Sequence, residues 1–196
     1  MLKRILYLVL GLILNALGIA LVIKSGTSFP ITAFNLGIAN TLNINYGLAS
    51  MLVEVLTIFI NYLFKEKIGI TTLMSAILSG YLVDLCLILI PTIPHIIIYL
   101  PIGSLIMCFG FYFMSISGLG LNSSNGLMNA LQKVTGKSTG MIRTIEEISF
   151  MILGFLLGGI VNIGTIILSC CFGYLLGFVY KLLKYKGEEQ EHKYLF

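Results

Sequence analysis

Charge is scarce in this chain: Asp, Glu, Lys and Arg make up 10% of its 196 residues, where a soluble domain carries roughly 25%. With 58% hydrophobic residues and a mean hydropathy of +1.01, that shortfall excludes an ordinary soluble fold. Trp is absent and His occurs twice, as His95 and His192. G-x-S-x-G, H-E-x-x-H and a phosphate loop are all missing, and no nucleophile accompanies the acidic residues. We therefore expect no enzyme, no cofactor and no metal centre. Cys86, Cys108, Cys170 and Cys171 lie in apolar runs without the paired spacing of a disulfide framework or zinc site. The net charge of +4 is spread between apolar runs, which argues against nucleic acid as a partner and makes the basic residues reporters of membrane topology.

What is present is apolar sequence in lengths that match a bilayer. Runs at 5–23, 46–64, 68–90, 96–116, 140–160 and 163–180 each approach the ~20 residues a helix needs to cross the hydrocarbon. The expected fold class is an all-α polytopic membrane protein with six transmembrane helices, since only helices and closed barrels satisfy their backbone in lipid. The first run is too long for a typical signal peptide, and Ser25-Gly26-Thr27-Ser28 is a poor cleavage site, so an uncleaved span is expected. With both termini in the cytoplasm, every basic residue except Lys24 falls on the inner side, as the positive-inside rule requires.

The chain also repeats itself. A shift of 92 or 93 residues places Gly18 on Gly110, Ser25-Gly26 on Ser117-Gly118, Gly47 on Gly140, Glu54 on Glu147, Thr72 on Thr165, and Gly80-Tyr81-Leu82 on Gly173-Tyr174-Leu175. We expect a first three-span repeat over 1–92, a second over 93–183 and a cytoplasmic tail over 184–196. Three crossings per copy would invert the second relative to the first, the arrangement used for alternating access.

Each first span is followed by a long connection, 28–45 and 121–139. The first has Pro30 near its start, with Ile31, Phe34, Ile38 and Leu42 on one helical face and Thr32, Asn35 and Asn43 largely opposite. The second begins Asn122-Ser123-Ser124-Asn125, rich in helix-capping residues, and continues with Leu127, Leu131 and Val134 against Asn129 and Gln132. Both are expected to form short amphipathic helices free of acidic residues. Two placements stay open: re-entrant helices whose amino termini face a cavity and receive an anion, or interfacial helices lying flat on the membrane.

Charges within the spans complete the candidate site. Glu54 and Glu147 each lie about 10 Å in from opposite faces at 1.5 Å per residue, and a charge near the bilayer centre costs ~2.5–3.5 kcal/mol, so neither should face lipid. Arg143 can pair with Glu146 or Glu147 along one face. Ser50 stands where a matching arginine would accompany Glu54, which makes Glu54 the better candidate for binding a proton or cation. Asp84 has Gly177 as its counterpart and either lines an external vestibule or bonds a neighbouring helix. Gly154-x3-Gly158, Gly173-x3-Gly177 and Ala76-x3-Gly80 place small residues one turn apart, a pattern for close helix packing.

Gly26 with Pro30, Tyr46-Gly47, Lys67-Ile68-Gly69-Ile70-Thr71-Thr72 and Gly80 with Asp84 resemble the first half of the YczE/YyaS/YitT group of bacterial membrane proteins. Arg143, Glu147, Gly158-Gly159 and Gly164-Thr165 resemble its second half. The resemblance spans about residues 5 to 180 and is to the YczE-like branch, which lacks the soluble carboxy-terminal domain of the YitT branch. Phe29-Pro30-Ile31 departs from the group, in which an aromatic often follows the proline. The resemblance implies a multispan protein of the bacterial cytoplasmic membrane and supplies no substrate.

The expected function is secondary transport of a small polar or anionic solute across the bilayer, with Glu54 and Glu147 coupling to protons or cations. Arg143, Asp84, Pro30, Asn35, Asn122, Ser123, Ser124 and Asn125 complete the candidate site. Two alternatives are a substrate-binding membrane subunit of a larger importer and a non-transporting accessory membrane protein. A second copy of the chain or a partner subunit is left open.

Overall fold

The computed structural model describes residues 1–66, 69–91, 96–119, 123–137 and 139–184. Among the described residues the chain is helical throughout, with no strand: α1 (Leu2–Lys24), α2 (Pro30–Leu42), α3 (Tyr46–Leu63), α4 (Ile70–Leu89), α5 (Ile96–Ser117), α6 (Ser123–Thr135), α7 (Thr139–Leu156) and α8 (Ile163–Leu182). Five of them are long and apolar enough to cross a membrane: α1, α3, α4, α5 from Ile98 on, and α8. The sixth expected span, α7, carries Arg143, Glu146 and Glu147 within its 18 residues, too much charge to qualify on composition.

The ends of α1 to α4 are Lys24, Leu42, Leu63 and Leu89, and each precedes by 93 residues the end of its counterpart among α5 to α8, at Ser117, Thr135, Leu156 and Leu182. Left-handed backbone recurs with nearly the same spacing, at Gly26 and Gly118, Asn43 and Gly136, and Lys65 and Gly158. Gly158 explains why α7 ends at Leu156 rather than continuing to residue 160. Its φ of +77° and the 2.8 Å bond from Gly159 N to the Gly154 carbonyl form a glycine-terminated helix end. Gly158 is therefore a stop signal, not the second half of a packing motif.

The centre is the α1–α5 pair, and glycine is what lets it form. A Cβ at Gly18 would stand 2.6 Å from the Gly103 carbonyl oxygen, and one at Gly110 2.6 Å from the Asn15 amide nitrogen; only backbone fits there. The other helices attach crosswise. Leu8, Leu12 and Met114 pack with Met74, Leu78 and Leu82 of α4, while Val22, Phe29 and Met107 pack with Leu168 and Phe172 of α8. The start of α4 is tied to the end of α5 by Thr71 N to the Leu119 carbonyl, 3.3 Å. The start of α8 is tied to the end of α1 by Asn162 Nδ2 to the Gly26 carbonyl, 2.7 Å. α2 lies on α7, and α6 lies on α3.

The surface is apolar and the interior comparatively polar. On α3, Leu52, Val55, Leu56 and Phe59 point outward while Ser50, Thr57 and Asn61 are buried; lipid favours the first set, and hydrogen bonding inside satisfies the second. α2 follows the same logic on its polar side. Thr32, Ala33 and Asn35 are buried, whereas Leu42 at the far end is 56% exposed. The apolar face is only partly covered: Phe34 packs against Phe150 of α7 with ring centroids 5.4 Å apart.

Candidate functional site

α2, α3, α6 and α7 converge on a cavity of about 10 Å³, close to the ~10–15 Å³ that holds one water. Its polar wall is Asn35 of α2, Glu54 and Thr57 of α3, Ser123 of α6 and Glu146 of α7, and Ile31, Val53, Leu127 and Phe150 close it. Two of these helices come from the first four and two from the second four. Glu54 is the ninth of the 18 residues of α3, which puts the cavity at mid-depth of that span.

Helix faces decide which side chains arrive. On α3, Val53, Thr57 and Asn61 continue the buried stripe begun by Tyr46 and Ser50, and Glu54 sits at the edge of that stripe. Its carboxylate accepts a hydrogen bond from the Ser123 hydroxyl. Ser123 is the first residue of α6, and Asn61 Nδ2 holds its carbonyl at 2.9 Å. The carboxylate thus meets the positive end of a helix. The carboxyl group at the amino terminus of α6 is the protein's own.

α7 presents two adjacent glutamates in two directions. Ile142, Glu146 and Phe150 lie one turn apart, with Ile142 and Glu146 buried and Glu146 and Phe150 on the cavity wall. Glu147 faces away from the cavity, its side chain 26% exposed and bonded to Arg143 Nε at 3.0 Å. Arg143 Nη1 also lies 3.7 Å from Glu146 Oε2. The geometry therefore brings Glu54 together with Glu146, whereas the 93-residue alignment pairs Glu54 with Glu147. The buried i, i+4 stripe of Ile142, Glu146 and Phe150 was the signal that could have pointed to Glu146.

The remaining candidates divide. Asn35 is on the cavity wall, with Nδ2 3.5 Å from the Tyr46 hydroxyl. Pro30 is the first residue of α2 and buried, in the position where a missing N–H costs nothing, and it lies outside the cavity lining. Asp84 takes the second of its two expected roles: both carboxylate oxygens accept from Gly47 N at 3.0 Å, capping the start of α3 across the α3–α4 contact. Asn122 lies outside the described residues, as do the side chains of Ser124 and Asn125. Thr57, Asn61 and Asn162 were missed, since a single polar residue in an apolar run announces no partner.

The pattern of a family described as a family of unknown function (DUF6198) matches residues 2–181. The chain belongs to this family. An uncharacterized protein of Haemophilus influenzae is 29% identical over 185 residues, covering 92% of this chain and 85% of the relative. The uncharacterized membrane protein YczE of Bacillus subtilis is 27% identical, covering 86% and 81%. The uncharacterized protein YyaS of the same organism is 26% identical, covering 88% and 90%. No solved structure matches. This chain is thus a membrane protein of the DUF6198 family, and its relatives include YczE and YyaS, of the group that the sequence motifs resemble.

Proposed function

We propose that this DUF6198 protein is a secondary transporter of a small polar solute, coupled to protons or cations, and built from two inverted three-span repeats with α7 as the sixth span. What carries the proposal is the position of Glu54: a carboxylate at mid-span, on a cavity walled equally by both sets of four helices. The repeat is supported by the common 93-residue offset of all four helix ends and by the reciprocal docking of α2 on α7 and α6 on α3. α2 and α6 are re-entrant in this reading, which fits the burial of the polar face of α2. Two carboxylates on the wall, and Glu54 already at the start of α6, favour a polar over an anionic solute. The protein sits in the bacterial cytoplasmic membrane with both termini inside, and it performs no covalent chemistry.

The test is flux. Protein reconstituted in liposomes is expected to exchange solute only under a proton or sodium gradient, and Glu54→Gln to abolish coupling. Gradient-independent leakage, or no flux across a broad metabolite panel, sinks the proposal. One observation favours a second reading, an accessory membrane protein or a binding subunit: the cavity holds no more than one water in this state. Stable co-purification with an ATPase and a scaffold subunit would move the assignment there.

A further inference from the structure

The cavity wall has a chemical bias beyond its charge. The Ser123 hydroxyl hydrogen is committed to Glu54, and the Thr57 hydroxyl donates to the Val53 carbonyl at 2.8 Å. What both oxygens present to the cavity is lone pairs. Asn35 is 95% buried, being 5% exposed, and its Oδ1 has no hydrogen-bond partner among the described residues. Glu54 and Glu146 add carboxylate oxygens; Arg143 lies 3.7 Å from Glu146 Oε2 and 3.0 Å from Glu147, so one arginine stands against three carboxylates. The wall is thus rich in acceptors, and a buried acceptor left without a partner costs about 1–3 kcal/mol.

We propose that Glu54, Glu146 and Asn35, with the Ser123 and Thr57 hydroxyl oxygens, form a binding site for one dehydrated monovalent cation, with sodium expected over potassium because carboxylate oxygens favour the smaller, harder ion. A water could donate both its hydrogens to such a wall, but it would leave the two carboxylates without a counter-charge beyond the one arginine; a bare cation takes the same lone pairs and supplies that charge. All-oxygen ligands select hard ions. Mg²⁺ keeps several of its waters, for which a cavity of about 10 Å³ has no room, and Ca²⁺ asks for 6–8 oxygens, more than five side chains supply with single contacts. The ion would offset carboxylate charge that is otherwise expensive away from water. It would also join α2, α3, α6 and α7, so that its arrival and departure bear on how the two sets of helices meet. The site exists independently of transport; its role as the coupling ion rests on the transport reading above.

The experiment is ion-dependent stability of the purified chain in detergent, at constant ionic strength, in sodium, potassium or N-methylglucamine chloride, with saturation binding of radioactive sodium alongside. Sodium alone is expected to raise the unfolding temperature in a saturable way, since an ion that binds the native state stabilises it by mass action. Glu146→Gln and Asn35→Ala are expected to lose the sodium-dependent part of the shift, while Glu66→Gln, away from the cavity, keeps it. If a cavity variant does not fold, saturable one-site binding of radioactive sodium to the unaltered chain decides. Equal response to all three salts, absence of saturable binding, or a full sodium response in Glu146→Gln overturns the site. Sodium binding without solute flux removes transport and leaves the site standing, whereas proton-driven flux without sodium binding does the reverse.

Discussion

α3 with α4 and α7 with α8 are counterparts in the chain, yet only the first pair is closed. Gly47 and Gly80 bring the α3 and α4 backbones together, a Cβ at Gly80 standing 2.5 Å from the Gly47 carbonyl oxygen, and Asp84 grips the Gly47 amide across the same contact. In the second pair Gly173 and Gly177 are exposed, with nothing within 4 Å of where a Cβ would sit. Gly177 also stands where Asp84 would be. The difference teaches that a small-residue spacing permits close approach without compelling it. Three contributions hold the first pair together: the glycines, the carboxylate and the helix start it caps. The second pair has the glycines alone.

Substitution at the paired glycines tests this contrast most strongly. Gly80→Ala is expected to destabilise by about 1–3 kcal/mol through overpacking against Gly47, whereas Gly173→Ala should be neutral or stabilising by about 0.5–1 kcal/mol, because alanine favours helix over glycine. Unfolding of both variants in SDS–detergent mixtures measures it, and equal losses would mean that the second pair is closed as well. Next comes Asp84→Asn, which keeps shape and removes charge from the start of α3. A loss of about 1–2 kcal/mol is expected, and little change would show that the glycine contact suffices on its own.

The adjacent glutamates of α7 offer a sharper comparison. Glu147→Gln breaks a partly exposed i, i+4 pair with Arg143 and should cost about 0.3–0.5 kcal/mol. Glu146→Gln alters the cavity and should remove ion dependence while Glu147→Gln retains it. Loss of ion response in Glu147→Gln alone would restore the pairing that the repeat alignment indicates. An effect of the same small order is expected from Lys133→Ala. Its 2.6 Å bridge to Glu66 joins a lysine 67% exposed to a buried carboxylate, and screening by salt leaves about 0.2–1 kcal/mol, readable as a salt-sensitive shift in unfolding.

Much of the architecture was legible beforehand. The run at 46–64 became Tyr46–Leu63, the run at 163–180 became Ile163–Leu182, and the two connections became Pro30–Leu42 and Ser123–Thr135. These follow from local causes: apolar length, Pro30 at the first turn, and Asn162 and Thr165 closing the start of α8 with two 3.2 Å bonds. The site was legible only in part. Glu54 stands out as an unaccompanied charge in an apolar run. Glu146 does not, because it adjoins both Arg143 and Glu147, and one step of 100° around the helix separates a cavity wall from a solvated ion pair.

By itself the sequence determined membrane residence, the helices and their 93-residue periodicity, since each depends on composition and on contacts a few residues apart. Only the tertiary structure decided that α2 turns its polar face inward, that Asp84 caps α3, that Glu54 meets Ser123 at the start of α6, and that Gly173 is left open. These depend on partners tens of residues away. In lipid, apolar side chains are satisfied on either face, so the choice of face falls to the few polar groups and glycines, whose partners emerge only when the helices are packed.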